Sequence, residues 1–537
     1  MEVSVPRPLT VPANVIPFPA YWKEIPGHFA LTARTTVSYD GAVRAEAEIL
    51  LSRLRLVTGF PLPVNDLSPT IVVRIDPDCL RLGAEGYRLS VTPDRVEIRA
   101  ARPAGIFYAT QTLLQLMPVA ACAKSPQEGQ LWSIACVEIE DTPRFSWRGA
   151  MLDVSRHFMP IEFLRKFIDA LAMHKLNVLQ LHLNDDQAWR IEILKYPKLT
   201  EVGSRRRETL VGYADQSPAD AGFDPARQHF DGVPHEGYYT QREMRELVEY
   251  ARVRNVSIVP EIEMPGHATS AIAAYPELGC LDCPVEVSPT WGIHANLFNA
   301  EESTILFLQD VLREVVDVFP SYYIHVGGDE AVKAQWRESA ACQRRIRELG
   351  LQNEAELQSY MIRRMDEFLS GQGRRLVGWD EILEGGLAQD AVVMSWRGDR
   401  GGIAAAKMGH DVVMAPYQHT YLDYYQAVDY GDEPPAFPEV VTLEQIYRFD
   451  PLPGDLPAEF SRHILGAQGQ LWTEYMPTSA QVEYMAFPRL AALAEGVWSA
   501  PEAKDYAGFM ARLSDHLTRL GMMGINYRRP TDTDYAG

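Results

Sequence analysis

Residues 240–263 read TQREMRELVEYARVRNVSIVPEIE and join two textures in one stretch. Thr240 to Arg254 carries a helical pattern, and the apolar run Ser257–Glu263 reads as a strand closing on acids. The same alternation extends in both directions. Upstream lie the candidate strands Gly149–Ser155 and Leu176–Leu183. Downstream come Tyr322–Val326, Arg375–Trp379, Ala391–Trp396, Asp411–Ala415 and Ile464–Leu471. Helical segments follow most of them, among them Pro160–His174, Glu301–Phe319 and Glu354–Leu369. This rhythm predicts an α/β fold, a (β/α)8 TIM barrel. An open doubly wound sheet would normally show a Gly-rich phosphate turn after an early strand, and none is found.

The chain before this rhythm has a different character. Tyr87–Val91 and Val96–Arg99 alternate apolar and polar residues around the turn Thr92-Pro93-Asp94, as in a hairpin, and Ala104–Leu116 follows as a helix. A smaller α+β domain over residues 1–143 is therefore expected, divided near Asp141-Thr142-Pro143 from a catalytic domain over 144–537. No catalytic constellation is visible in the first part. After the seventh barrel strand an irregular insert, residues 429–457, has no role that its sequence reveals.

Composition narrows the partners. Lys plus Arg is 51 against 72 Asp plus Glu, a net charge of -21 in 537 residues. Such a chain is repelled by nucleic acid and by anionic membranes, so neither is an expected partner. No apolar run reaches the ~18 residues of a membrane helix. The start, MEVSVPRPLT, has neither a basic nor an apolar leader region, so a cytoplasmic chain is expected as the sequence stands, or an exported one if a leader has been trimmed. The six cysteines include one lone C-x-x-C, Cys280 and Cys283, and read as incidental thiols.

Chemistry gathers at the C-terminal ends of the candidate strands. Arg156 follows the first, Asn184, Asp185 and Asp186 the second, Glu263 and His267 the third, Asp329 and Glu330 the fourth. Trp379, Asp380 and Glu381 close the fifth and Trp396 the sixth; Tyr421 and Asp423 follow the seventh, and Trp472 and Glu474 close the eighth. A TIM barrel builds its active site on this rim. Within His325-Val326-Gly327-Gly328-Asp329-Glu330, adjacent side chains of a regular strand would face opposite ways, and the two glycines allow the backbone to depart from that geometry. A carboxyl in a partly apolar pocket beside another carboxylate keeps its proton, as a general acid must. Trp379, Trp396 and Trp472 offer aromatic walls for the apolar faces of a sugar ring, although core packing is the commoner fate of any single tryptophan. His182, His267, His294 and His325 lack an H-x-H or any short ligand spacing, so buried, hydrogen-bonded histidines are expected, with no metal and no cofactor. His267 could instead bond a catalytic carboxylate.

These residues together resemble glycoside hydrolase family 20, the β-N-acetylhexosaminidases. The matching motifs are RGAMLDVSRHF from Arg148, KLNVLQLHLNDDQAWRIEI from Lys175, PEIEMPGHA from Pro260, HVGGDE from His325, GWDEIL from Gly378, MSWRG from Met394, APYQHTYLDYY from Ala415 and GAQGQLWTEY from Gly466. They stand in the family's order, and the α+β segment before them resembles the domain that usually precedes this family's barrel. The resemblance implies an exo-acting, retaining hydrolase of terminal β-linked GlcNAc or GalNAc, whose nucleophile is the substrate's own 2-acetamido oxygen. It places Glu330 as general acid and base, Asp329 as the residue that orients the acetamido N–H, and Tyr421 as donor to the acetamido carbonyl. It gives Trp379, Trp396 and Trp472 the pocket walls, and Arg156 and Glu474 the ring hydroxyls. Asp423 is put near the 6-hydroxyl, and Asp185 with His267 in a polar network around Glu330. The expected partner is a small carbohydrate with a terminal N-acetylhexosamine. A disaccharide-releasing relative of the lacto-N-biosidase kind and a non-catalytic carbohydrate-binding protein are the alternatives. An endo-acting chitinase is disfavoured because D-x-x-D-x-D-x-E is missing.

Overall fold

The computed structural model describes residues 14–213, 228–281, 283–431, 433–531 and 534. Its first part is a six-stranded sheet of β1 (Tyr21–Ala30), β2 (Val37–Tyr39), β3 (Ile71–Ile75), β4 (Tyr87–Val91), β5 (Val96–Ala100) and β6 (Ser133–Asp141), in the order β1-β6-β4-β5-β3-β2. The β4–β5 hairpin read from the sequence is present, with Val91 opposite Val96. Helices α1 (Arg44–Thr58) and α2 (Pro103–Leu116) accompany the sheet. Pro103 occupies the first turn of α2, where its missing N–H leaves no hydrogen bond broken.

Eight parallel strands then close into a barrel. They are β7 (Trp147–Asp153), β8 (Val178–His182), β9 (Ser257–Glu261), β10 (Tyr323–His325), β11 (Arg375–Trp379), β12 (Val392–Ser395), β13 (Val412–Met414) and β14 (Ile464–Leu471). All eight coincide with the candidate strands, with edges moved by two residues at most. The fourth stops at His325, one residue early, because Gly327 and Gly328 turn left-handed, with φ of 66° and 99°. Closure is made by β14 on β7, beginning with Gly466 opposite Trp147, where a Cβ on Gly466 would sit 1.9 Å from the Trp147 carbonyl oxygen. Glycine is required there by close approach of the backbones.

Helices α3 (Ile161–Met173), α4 (Gln241–Arg252), α5 (Glu302–Val318), α6 (Glu354–Gly371), α7 (Asp399–Lys407) and α8 (Arg489–Trp498) surround the strands. The start of α4 is set by a capping box: Thr240 Oγ1 accepts the Glu243 N–H at 3.2 Å, and the Glu243 carboxylate accepts the Thr240 N–H at 2.9 Å. Inside the barrel, Trp147, Val178, Val259, Val377, Val392, Met394 and Val413 form an apolar plug. The barrel is thus a filled core, into which Gln180 and Gln468 bring one hydrogen-bonded pair at 2.8 Å. No helix among the described residues is long and apolar enough to cross a membrane.

Buried ion pairs tie the first sheet to the barrel. Arg148 on β7 donates to both Glu85 oxygens, at 3.0 and 2.7 Å, and to the Phe145 carbonyl at 2.8 Å. Lys175, just before β8, donates to Asp141 at 2.9 Å, and Asp141 also accepts from Tyr87 at 2.7 Å and Trp498 at 2.9 Å.

Candidate active site

A cavity of about 240 Å³ opens at the C-terminal end of the strands. Arg156, Asp185, His267, Asp329, Glu330, Trp396, Tyr421, Asp423, Trp472 and Glu474 line it, so ten of the eleven residues chosen from the sequence meet in one place. The eleventh, Trp379, is buried one layer below. Its ring lies 5.9 Å from Trp472 and 4.9 Å from His325, and its indole N–H donates to Glu261 at 2.9 Å. A larger groove of about 840 Å³ lies between α1, α2 and α3, but no catalytic constellation converges there.

The bend after β10 aims the two acids. Glu330 has φ of 48° and His267 φ of 47°, conformations that cost a non-glycine residue about 1 kcal/mol or more. Both side chains face the cavity, and His267 Nε2 lies 3.5 Å from Glu330 Oε2 and 3.8 Å from Asp329 Oδ2. A carboxylate oxygen of each acid lies within 4.8 Å of the other. Beneath them, Glu263 fills the space that a side chain at Gly327 would need: a Cβ there would sit 1.8 Å from Glu263 Oε1. The same oxygen accepts the Gly328 N–H at 3.0 Å. Burial, and then the charge of Asp329, push the Glu263 carboxyl well above its usual range, so it holds its proton against Asp329. Burial also raises Asp329, against the pull of the His267 cation.

His267 is oriented from the far side. Its Nδ1 meets Asp186 at 3.1 Å and Asp185 at 3.3 Å. Burial would lower its pKa, but Asp185, Asp186 and Glu330 together raise it well above the ordinary histidine value. Asp185 itself is pinned by a two-residue hairpin, Asn184–Asp185 against Ala188–Trp189, and by Arg156 at 2.9 Å. Arg156 lies over the Trp472 ring at 5.1 Å and also touches Asp153 at 3.2 Å and Glu474 at 3.8 Å.

The opposite wall holds two acids with little to bind. Asp423 Oδ1 and Glu474 Oε2 are buried without a protein hydrogen-bond partner. Burial and the neighbouring Glu474 raise Asp423 well above the carboxylate range, and burial pushes Glu474 up to about 7 against the pull of Arg156. Tyr421 stacks on Trp396, rings 6.1 Å apart and 23° from parallel. Its hydroxyl is raised well above the ordinary value, by burial first and the Asp423 charge second, and so remains a donor. Trp396 in turn donates to Glu381 at 2.9 Å.

Sequence reasoning missed His182, Trp291, Gly292, Ile293, Tyr424, Phe437 and Tyr475, which also line the cavity. Tyr424 and Tyr475 directly follow Asp423 and Glu474 and could have been found by that adjacency. Phe437 comes from the 429–457 insert, which thereby reaches the cavity. Of the four histidines, His182, His267 and His325 are buried against carboxylates, and His294 contacts Ser288 at 3.2 Å.

Comparison with known proteins gives the following. Residues 145–501 match the model for the glycosyl hydrolase family 20 catalytic domain, and residues 13–142 match that family's domain 2. A β-hexosaminidase of Porphyromonas gingivalis is 44% identical over 527 residues, covering 96% of this chain and 64% of that protein. The chain therefore spans just under two thirds of that relative's length. The structure of a Vibrio harveyi exo-β-N-acetylglucosaminidase in complex with N-acetylglucosamine superposes with a TM-score of 0.84 at 31% identity, covering 98% of this chain and 80% of that one. A mutant Streptomyces plicatus β-hexosaminidase in complex with GlcNAc gives 0.82 at 32%, covering 97% and 98%.

Proposed function

The chain belongs to glycosyl hydrolase family 20, and from that membership we propose that it is an exo-acting β-N-acetylhexosaminidase that removes terminal, nonreducing β-linked GlcNAc or GalNAc with retention. One observation supports the substrate-assisted route above all. Asp329 and Glu330 meet the same histidine, with oxygens within 4.8 Å of each other. Two carboxylates acting from opposite faces of a sugar ring would not converge on one imidazole.

In this reading Glu330 gives its proton to the glycosidic oxygen while the acetamido carbonyl oxygen of the substrate bonds to C1 and the aglycone leaves. Asp329 accepts the acetamido N–H and balances the positive charge of the oxazolinium ion. Tyr421 donates to the acetamido oxygen and holds it beneath C1. Glu330, now a carboxylate, takes a proton from the water that attacks C1, and the acetamide is restored. Asp185 and His267 hold Glu330 in place. Arg156, Glu474 and Asp423 bind ring hydroxyls, which supply the partners that Asp423 Oδ1 and Glu474 Oε2 lack. Trp396 and Trp472 wall the ring, with Trp379 supporting Trp472 from below. The cavity, about 240 Å³, is smaller than the ~300–1,000 Å³ of drug-sized ligands and suits one sugar.

The test is release of p-nitrophenol from the β-N-acetylglucosaminide and β-N-acetylgalactosaminide. Wild type should turn over at least one of them, and Glu330→Gln should lose about 10²–10⁴-fold. That loss should shrink for a dinitrophenyl leaving group, which needs no proton. A folded wild type inactive on both substrates would overturn the reading and favour release of a disaccharide.

A further inference from the structure

Behind Asp185 the polar chain does not end. It continues to the centre of the barrel through His182, the last residue of β8, and Glu261, the last of β9. His182 Nε2 bonds Asp185 Oδ2 at 2.9 Å, and its Nδ1 lies 2.8 Å from Glu261 Oε2 as an ion-pair contact. Glu261 is fixed from three more sides: Gln180 donates to Oε2 at 2.8 Å, Trp379 to Oε1 at 2.9 Å, and His325 Nδ1 is 3.0 Å from Oε1. Both His182 and Glu261 are buried, and the His182 ring also lines the cavity. Burying ionised groups in a barrel core is no route to stability, since well-packed apolar residues would serve at least as well.

We propose that His182 and Glu261 are positioning residues for the reaction, a buried cation–anion pair that keeps Asp185 ionised and thereby keeps the His267 ring turned, with its proton, toward Glu330. The inference rests on reading Glu330 as the general acid. The geometry favours the cation. His182 Nε2 bonds Asp185, and Nδ1, which makes no hydrogen bond of its own, sits 2.8 Å from a Glu261 oxygen, where a positive ring is attracted from both sides. Burial alone would lower this histidine, but Glu261 and Asp185 raise it to about 10. The order of groups is then Glu261 negative, His182 positive, Asp185 negative, His267 positive, Glu330.

The charged and titratable groups at the strand ends around Glu330 are Asp153 closing β7 and Arg156 after it, Asp185 and Asp186 after β8, Glu263 and His267 after β9, Asp329 beside it, Asp380 and Glu381 after β11, Arg397 after β12, Asp423 after β13 and Glu474 after β14. Replacing His182 by a neutral residue leaves all of these and deletes one positive charge. Asp329 then holds its proton to higher pH.

The experiment is the pH profile of kcat/KM for wild type, His182→Asn and Glu261→Gln on the p-nitrophenyl substrate. The acid limb, where Asp329 must be ionised, should move to higher pH, by about half a unit to one unit in His182→Asn and less in Glu261→Gln. At the wild-type optimum kcat should fall about ten-fold with KM changed less than about two-fold. A fall in kcat with the acid limb unmoved is what a purely structural role gives, and it would overturn the proposal. Should both variants fail to fold, ¹⁵N-histidine spectra of the wild type decide: His182 carries two protons at pH 8, and a neutral ring there refutes the pair. Turnover that survives in Glu330→Gln would instead overturn the acid assignment, whatever the limbs do.

Discussion

Two of the places where the molecule buries charge treat it differently. At the junction of the first sheet with the barrel, Lys175, Asp141, Tyr87 and Trp498 satisfy one another, and Arg148 finds Glu85 and two backbone carbonyls. At the mouth of the barrel, Asp423 Oδ1 and Glu474 Oε2 find nothing, and Asp329, Glu263 and Glu381 crowd carboxyls of one sign together. A completed polar network holds parts in register. An incomplete one is a store of binding free energy that a ligand with the right hydroxyls and amide releases.

Lys175→Met gives the sharpest contrast. It leaves Asp141 buried without its cation, and unfolding free energy should fall by about 3–5 kcal/mol, read from denaturant titration. A loss below 1 kcal/mol would erase the distinction between the two regions. Asp329→Asn should behave in the opposite sense. Removing one of several crowded charges should leave the melting temperature unchanged or higher, while kcat/KM falls about a hundred-fold or more, near 3 kcal/mol. Loss of stability in that variant would show that the mouth is as tightly satisfied as the junction.

Glu381→Gln has the smallest effect and isolates pH. Burial first, then the Asp329 charge, push this carboxyl up to about 8. Its folded pKa lies above the ~4.3 of an unfolded glutamate. The folded state therefore binds the proton more tightly, and the stabilisation is complete below about pH 4 and lost as pH rises through 8. Glutamine has no proton to lose and still accepts from Trp396. The variant should match wild type near pH 4 and be more stable than it at pH 9, seen as a higher melting temperature there only. Equal melting at both values would mean that Glu381 is not perturbed by the mouth.

Much of this was legible in the chain. Short apolar runs separated by helical patterns gave the barrel, because strands buried on both faces have a composition that turns and helices lack. The strand-end acids, arginine and tryptophans gave most of the cavity, since a barrel's topology brings every strand end to one rim. What stayed hidden depends on rotation and distance. Nothing in PEIE shows that Glu261 turns inward to His182 whereas Glu263 lies under Gly327. Trp291 and Phe437 reach the cavity from long loops, whose paths no periodicity records.

The pairing of β14 with β7 has a consequence in time. Trp147 and Gly466 are neighbours in space but lie at the two ends of the barrel sequence. Contacts so distant along the chain form slowly, because a long loop must close before they reward it. On a ribosome, the first sheet can assemble while the last barrel strand has not been made, and its helices offer the early barrel strands a surface to wait on. Pulse-labelled hydrogen exchange during refolding should therefore protect the amides of β4 to β6 before those of β14, and simultaneous protection would show that the barrel closes as one event.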